Sequence, residues 1–463
     1  MKLILSLVSL TIVGAWAWRF WSLFNAPMGW GMMDDPTWLE SFRAIHASAH
    51  WPGLLQWTWD TAITDITGGL FRPTYALWAW FVYDFLAFQK NLSPAWIYSL
   101  CFGIHIFTSL LFGLIFVRSH NKPNYTYFIV YILLFWSFTP SLNLVGLISL
   151  QERLALLLSG LALLTLWWQP RWLWPLSYLL WLGALGAKAT AVVFVIPLVI
   201  ALADHGIRAN LFRIGFFAMT ALNWGLFAGW IARKGLYTQS RYVVSSEMLM
   251  NYLRQGGPWA WAVALIAGTA LMMEVLRMMK DRVQTQTWNF SPLLWPLTTA
   301  ALLALMLPWG IQGYYWSIFT PAVAGCAALI FLRINSLLDL NGQRVALLVL
   351  LVPFSISLGP KMGKLIDRST STKLVVEWLQ SAEASPIETV FMPMPCIEAI
   401  HSLALLSHRP VNSIQVWEQT PPERRIFNDK TALLTWWECP LIPAEIAPTP
   451  QLKKDWGDWK LFR

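Results

Sequence analysis

Apolar windows long enough to cross a lipid bilayer recur along this chain of 463 residues. Windows of roughly 16 to 24 apolar residues suit helices that cross a hydrocarbon core of about 30 Å. Backbone N–H and C=O groups cannot stay unpaired in lipid, so a spanning segment must be a helix or part of a closed barrel. Ten-residue alternating strands, the barrel signature, do not occur in the sequence. The pattern therefore predicts an all-α polytopic membrane protein.

Composition agrees with this interpretation, because only 12% of the residues are charged and 57% are hydrophobic. Soluble globular proteins carry about 25% charged residues. We expect the lipid bilayer as a partner and no nucleic acid.

About eleven spans are expected. They lie near residues 3–24, 94–117, 126–143, 147–168, 174–187, 189–204, 214–232, 259–276, 291–307, 316–332 and 345–359. The first begins like a signal peptide, but its apolar part continues through Trp16, Trp18 and Trp21 with no small-residue cleavage site, so we keep it as a helix.

Orientation follows from Lys and Arg in the short loops, which favour the cytoplasmic side. With a cytoplasmic N-terminus, the inner loops carry Lys2, Arg118, Lys122, Arg171, Arg208, Arg213, Arg277, Lys280, Arg282, Arg333 and Arg344. The short outer loops carry only Arg233, Lys234, Arg241 and Arg254. An odd number of spans then places the C-terminus outside. We expect a multi-pass protein of a prokaryotic cytoplasmic (inner) membrane, active in the cell envelope.

Two regions do not read as membrane spans. The first outer loop, residues 25–93, holds an amphipathic helix in which Trp38 to Ile45 show helical spacing. The later run 74–88 is short and contains Asp84, which predicts an interfacial or re-entrant segment. Residues 1–360 thus form a transmembrane domain, and residues 361–463 a small outer α/β domain with an amphipathic helix followed by a short strand.

Cysteine usage leaves two alternatives in this outer domain. Cys396 and Cys439 both lie in the tail, where an oxidising compartment permits a disulfide. Two free thiols are the other possibility.

Costly polar residues converge on the outer turns. Charged groups in or beside membrane spans are functional candidates by default. The set comprises Asp34, Asp35, Arg72, Glu152, Arg153, Lys188, Arg233, Lys234 and Arg241, together with Tyr314 and Tyr315. Their convergence predicts a polar site at the outer membrane boundary, in which Glu152, Arg153, Tyr314 and Tyr315 line the substrate pocket.

The residue types suit transfer from a lipid-linked phosphate. Arg and Lys can bind a phosphate and stabilise the charge that develops as it leaves. A carboxylate can accept the proton of an acceptor hydroxyl. Asp34 and Asp35 are adjacent, and neighbouring like charges make a carboxylate more basic.

The order of these motifs resembles the polytopic GT-C glycosyltransferases, in particular their protein O-mannosyltransferase-like and aminoarabinose-transferase-like branches. The resemblance covers residues 1–360. It rests on the acidic pair of the first loop, on GGLFRPTYALWAWFVYDFLAF, on Glu152, on Lys188 in a small-residue turn, and on GYYWSIFTPAVAGCAALIFL. The chain departs from many relatives in having Asp-Asp for Asp-Glu and Gln312 where they have Arg.

The resemblance implies transfer of a sugar, with inversion, from a polyprenyl-phosphate carrier to an acceptor outside the membrane. It assigns the role of general base or of acceptor binding to Asp34 or Asp35. It assigns donor phosphate binding to Lys188 and also to Arg72 and Arg241, with Arg233 and Lys234 nearby. The sugar and the acceptor, whether protein, glycolipid or polymer, stay open.

Other functions and simpler roles compete with this interpretation. A secondary transporter or a non-catalytic relative in envelope assembly would have a similar number of spans. Asp34 and Asp35 could form a solvated loop and helix cap, Arg72 could anchor an interfacial helix, and Lys188 could snorkel to the surface. Glu152 and Arg153 could pair with each other or with lipid headgroups.

A metal site has little support. His46 and His50 are spaced i, i+4 and are weak candidates, but two histidines with no third ligand are usually solvated. No cofactor is certain, and a divalent ion is unsupported. His105 reads as a hydrogen-bonded packing residue of the second span.

Overall fold

The computed structural model describes most of the chain. The described residues are 2–31, 34–48, 52–120, 125–138, 140, 143–146, 148–168, 172–235, 257–285, 290–306, 313–393, 397–410, 413–421, 427–436, 451–457 and 459–462.

Helices dominate the described residues. In chain order they are α1 Lys2–Asn25, α2 Asp34–Ala47, α3 Leu54–Gly68, α4 Pro73–Ala79, a π-helix Trp80–Gln89, α5 Pro94–Ser119, α6 Tyr125–Ser137, α7 Asn143–Gly146, α8 Glu152–Trp168, α9 Trp174–Ala187, α10 Val195–Asp204, α11 Ile207–Lys234, α12 Gly257–Thr285, α13 Leu294–Met306, α14 Thr320–Asn335, α15 Leu340–Val349, α16 Leu351–Gln380 and α17 Ile397–Ser407. Short 3₁₀ helices cover Ala189–Phe194, Ser291–Leu293, Gly313–Phe319 and Ala382–Ala384.

Membrane-type helices are present. Within the described residues, four helical segments are long and apolar enough to cross a bilayer: Pro94–Ser119, Ile207–Lys234, Ala260–Arg282 and Trp316–Asn335. Shorter apolar helices cover Tyr125–Ser137, Ala189–Asp204 and Ser291–Met306. The membrane character expected from the composition is thus supported, while the count of eleven spans stays a prediction.

Helix α5 forms the centre of the bundle. Pro94 sits at the start of the helix, where a missing N–H costs nothing. Its 26 residues give a length of about 39 Å at about 1.5 Å per residue. The helix packs against α1, α6 and α8, and its two ends therefore mark the two ends of the bundle.

The predicted spans agree with the helices to different degrees. The span 174–187 coincides with α9. The span 189–204 is a 3₁₀ turn followed by α10, and 345–359 is divided at Leu350 between α15 and α16. Helix α16 then runs on to Gln380 without a break, so the expected domain boundary at 360/361 falls inside one helix.

The first loop is helical, as expected for α2, but part of it is buried. Helix α4 and the π-helix bury Tyr75, Trp78, Val82, Tyr83 and Asp84. This segment therefore packs into the protein, and whether it is interfacial or re-entrant stays a prediction.

The C-terminal region folds into the expected small α/β domain. Its strands are β1 Thr389–Met392, β2 Ile414–Val416, β3 Thr431–Trp436, β4 Leu452–Asp455 and β5 Trp459–Phe462. In the described residues they form a sheet of order β2-β1-β3-β5-β4. Strand β1 runs parallel to its neighbours β2 and β3. Strand β5 runs antiparallel to its neighbours β3 and β4. The C-terminal part of α16 and helix α17 bury their apolar side chains against the sheet.

This domain lies at the same end of the bundle as the first loop. The Ser369 hydroxyl of α16 donates to the Gly29 carbonyl at 2.8 Å, and Gly29 N donates back to the Ser369 carbonyl at 3.2 Å. Helix α17 also packs against α2. We call this the first-loop end and the end beyond Ser119 the opposite end.

Candidate functional site

Helix α4 brings distant segments together at the first-loop end. A Cβ on Gly186 would lie 2.6 Å from Thr74 Oγ1, so the end of α9 touches the start of α4. A Cβ on Gly235 would lie 2.1 Å from Gly69 Cα, so the end of α11 touches the turn before α4. Only glycine permits such close backbone approach. The segments of Arg72, Lys188 and Lys234 therefore meet at this end of the bundle.

Asp35 is a buried carboxylate of this end, with a residue exposure of 3%. Its Oδ2 accepts a hydrogen bond from Gly31 N at 2.8 Å. Its Oδ1 accepts one from the Tyr83 hydroxyl of the π-helix. The loop amide and the π-helix hydroxyl thus hold the carboxylate. Asp34 begins α2, and its side chain lies outside the described residues.

A second buried acid, Asp84, follows Tyr83 in the π-helix and is 1% exposed. His46 Nε2 lies 2.5 Å from Asp84 Oδ1, and Gln89 Nε2 donates to Oδ2 at 2.9 Å. A π-helix bonds i to i+5, which brings residue 89 over residue 84. π-Helical turns occur often at functional sites. His46 therefore pairs with a carboxylate, and His50 lies outside the described residues.

Glu152 and Lys188 form a buried ion pair. Lys188 Nζ lies 2.9 Å from Glu152 Oε1, and the two side chains are 16% and 1% exposed. Glu152 begins α8, and Lys188 sits in extended backbone between α9 and the following 3₁₀ turn. The contact is one of charge, because Oε1 makes no aligned hydrogen bond. The alternatives in which Glu152 pairs with Arg153 or a lipid headgroup, or Lys188 only snorkels, do not describe this arrangement.

Arg153 has a different role from its neighbour. Its Nε donates to the Leu144 carbonyl at 2.7 Å and its Nη1 to the Ile148 carbonyl at 3.0 Å. The guanidinium carbon lies 5.7 Å from the centre of the Trp78 ring. These contacts hold the turn before α8, so Arg153 supports the site through the backbone. Its expected place in a substrate pocket stays a prediction.

Arg72 is also engaged within the protein. Its Nε and Nη2 donate to the two Asp65 oxygens at 3.0 and 2.9 Å, which is the bidentate geometry of a strong charge-assisted pair. Its guanidinium lies 5.2 Å from the centre of the Tyr75 ring. A phosphate would therefore have to share this guanidinium with Asp65.

The remaining candidates are less defined. Arg233 and Lys234 end α11, with Lys234 Nζ 4.6 Å from the centre of the Trp230 ring. Tyr314 and Tyr315 lie in a 3₁₀ turn, and their side chains are outside the described residues, as are Arg241, Cys396 and Cys439.

Metal binding gains no support. Across the described ranges, no cluster of three or more His, Cys, Asp or Glu side chains could hold an ion. His105 packs against Trp136, with ring centroids 4.6 Å apart. Within the described residues its ring nitrogens have no hydrogen-bond partner, so packing was predicted correctly and the hydrogen bond was not.

Sequence reasoning missed the partners of Asp35. Tyr83 and Tyr98 are fully buried beside it, and the Tyr98 hydroxyl hydrogen-bonds Ser369 of α16. Asp35 and Arg153 both act electrostatically on Tyr98 and Cys101. A Tyr-Asp pair inside an apolar run was the available signal, but Asp84 was used only as evidence against a membrane span.

The arrangement therefore offers a held carboxylate, an ammonium group and a guanidinium around α4. Searches against protein-family models, curated proteins and solved structures find no match for this chain.

Proposed function

We propose that this protein transfers a sugar from a polyprenyl-phosphate carrier to an acceptor on the non-cytoplasmic side of the membrane. One observation carries the proposal. Helix α4 gathers Arg72, the Lys188–Glu152 pair and the end of α11 at the end of the bundle where Asp35 is held. The motif order resembles that of GT-C glycosyltransferases, and this resemblance suggests sugar transfer as the reaction for these residue types.

The donor phosphate would bind to the cations around α4. Lys188 is the first candidate, because it lies in a break between helices and carries a compact positive charge. Glu152 holds that ammonium in place. An arriving phosphate would compete with Glu152 for it, and the ion pair orients Lys188 until the donor binds. Arg72 is the second candidate, paired with Asp65 in the same manner.

A carboxylate of the first loop would act as the general base. The acceptor hydroxyl oxygen attacks the anomeric carbon while the bond from that carbon to the phosphate oxygen breaks. The acceptor proton passes to the carboxylate, and polyprenyl phosphate leaves with the electron pair. Attack opposite the leaving group inverts the anomeric centre. The Gly31 N–H and the Tyr83 hydroxyl fix Asp35 in position, which is the preorganisation that such a step needs.

Transfer from a radiolabelled polyprenyl-phosphate sugar in proteoliposomes tests this proposal. We expect Asp35→Asn, or its double variant with Asp34→Asn, to reduce transfer by about 10²- to 10⁴-fold, the usual contribution of a general base.

Asp60→Asn is the matched control. Asp60 belongs to the same loop but lies exposed on α3, where it accepts a hydrogen bond from Gln56. We expect its transfer rate to stay within about twofold of wild type, the scale of a neutral surface change. Undiminished transfer in Asp34→Asn, Asp35→Asn and the double variant would refute the catalytic role and favour a non-catalytic relative.

A further inference from the structure

A cleft separates the first loop from the C-terminal domain. Its volume is about 440 Å³. Residues of α2, of the turn before α5 and of α17 line it. We call it the interdomain cleft and define it by its polar and aromatic residues Trp30, Glu40, Arg43, Asn91, Ser93 and His408.

The polar side of the cleft is balanced in charge. Arg43 Nη1 donates to Glu40 Oε2 at 2.6 Å and lies 3.1 Å from His408 Nδ1. A guanidinium only donates, so this Nδ1 is assigned as the acceptor, which leaves the proton of a neutral imidazole on Nε2. The trio thus presents both donors and acceptors with no net charge. Such a set matches an uncharged ligand whose hydroxyl groups both donate and accept hydrogen bonds.

Other residues that line the cleft are apolar and aromatic. Trp30 contributes a flat ring beside Tyr83, with centroids 5.9 Å apart. Phe88 and several leucines complete this apolar lining. An aromatic face with nearby hydroxyl partners matches a sugar, whose C–H faces pack on rings and whose hydroxyls both donate and accept. At about 440 Å³, the cleft is at the small end of ligand pockets, which suits one or two sugar rings.

Backbone conformation marks the same place. Among the described residues, two non-glycine residues have a positive φ, Asn91 at 49° and His408 at 57°, and both line the interdomain cleft. Such conformations cost free energy and cluster at ligand sites. Arg409 holds the backbone beside His408 by donating to the carbonyls of Leu379, Ala384 and Ile387.

The cleft also borders the proposed catalytic carboxylate. Pro36, which follows Asp35, lines the cleft, and Trp30 lies beside the Tyr83 ring whose hydroxyl binds Asp35. We infer that the interdomain cleft binds an uncharged saccharide as the acceptor of the reaction. The acceptor role rests on the proposed function, and the cleft's preference for sugar rests on its own residues.

Saturation-transfer NMR on the full chain in nanodiscs tests the inference, with methyl hexosides and hexose disaccharides as probes. We expect binding to wild type and to Asp35→Asn. Ser93→Trp fills the cleft from an exposed position and should weaken binding at least tenfold, as should Glu40→Gln combined with Arg43→Met, which is checked for folding by size exclusion. Ser336→Trp at the opposite end is the matched control and should bind as wild type does.

The two proposals fail in different ways. Absence of saccharide binding in a wild-type protein that still transfers sugar would overturn the cleft assignment alone, as would equal binding by Ser93→Trp. A spin-labelled acyl chain that occupies the cleft in preference to sugars would overturn it too. If the wild-type protein neither hydrolyses the donor nor transfers its sugar, the proposed function is refuted instead.

Discussion

The two ends of the bundle each bury a glutamate, but they support it differently. At the first-loop end, Glu152 has one ion-pair partner among the described contacts, Lys188, which lies in a break between helices. At the opposite end, Glu274 is fully buried within α12 and lies 3.2 Å from Arg277 Nε and 3.5 Å from Arg333 Nη2. The first pair is built on irregular backbone and the second on regular helices.

Arg277 and Arg333 also lie near a buried histidine at the opposite end. Burial lowers the pKa of His120 to about 4, the Phe116 carbonyl opposes this shift, and the charges of Arg277 and Arg333 add to it. The side chains of Arg277 and Arg333 are partly exposed. Water can therefore solvate them when a carboxylate partner is removed. A buried ion pair alone therefore does not indicate a reaction site, because both ends of the bundle contain one. Breaks in helices and a held carboxylate nearby distinguish the first-loop end.

Lys188→Met should have the largest effect. Removing one partner of a buried pair leaves Glu152 as an uncompensated charge, which costs about 3 to 5 kcal/mol. Thermal unfolding in detergent measures this loss of stability. We also expect transfer to fall by about 10²- to 10³-fold, because the phosphate loses its cation.

The double variant Lys188→Met with Glu152→Gln sharpens that result. Removing both charges should restore most of the stability, while transfer stays low. Recovery of transfer along with stability would show that Lys188 only neutralises Glu152.

Glu274→Gln should destabilise the protein less. The two arginines it leaves are 21% and 39% exposed and can be solvated, so we expect a loss of about 1 to 2 kcal/mol, below the cost of a fully buried break. Transfer per folded molecule should match wild type in the proteoliposome assay. A loss of transfer comparable to that of Lys188→Met would break the distinction between the two ends.

Arg72→Lys tests the guanidinium geometry at the first-loop end. A lysine keeps the charge but not the two-point contact with Asp65, so we expect a loss of about 1 kcal/mol in stability. The apparent KM for the donor should rise while kcat changes little, and steady-state kinetics with varied donor separate the two. An unchanged KM would remove Arg72 from the phosphate site.

The exposed pair Lys430–Glu388 of the C-terminal domain provides the reference with the smallest effect. Hydrogen bonding to Glu388 at 2.7 Å, with its charge, raises the pKa of Lys430 above its ordinary value of 10.5. A raised pKa in the folded state stabilises the protein below 10.5 and loses this effect as the pH rises through the raised value. Glu388→Gln should therefore lower stability slightly at every pH below 10.5, by the small amount typical of an exposed pair, and the difference from wild type should vanish above the raised pKa. A loss of stability that persists above the raised pKa would contradict this account.

Sequence patterns predicted the helices whose apolar residues show a helical spacing or a clear length within one segment. The apolar run 174–187 became α9, and the amphipathic spacing of Trp38 to Ile45 lies within α2. The π-helix was beyond reach, because a segment that is apolar on nearly all faces reveals its length but not its period. For the same reason, the run 345–359 did not show the division at Leu350.

The site was predicted in place more than in contacts. The order of the predicted spans and the charge bias of their loops assign Asp35, Arg72, Glu152 and Lys188 to the same end of the bundle. The pairing of Glu152 with Lys188 depends on how α8 packs against α9. Glu152 and Arg153 are adjacent in the sequence but have different partners. These partners depend on the packing of the turn before α8, which the sequence pattern does not reveal.

Sidedness is the claim on which the catalytic account depends, and labelling with a membrane-impermeant maleimide tests it most directly. Single cysteines at Asp60→Cys and Ser336→Cys report on the two ends, in a protein with Cys101 and Cys326 replaced by alanine and Cys396 and Cys439 replaced by serine. In right-side-out vesicles we predict that Asp60→Cys reacts at once and that Ser336→Cys reacts only after permeabilisation. Reaction of both from one side, or the reverse order, would contradict the account.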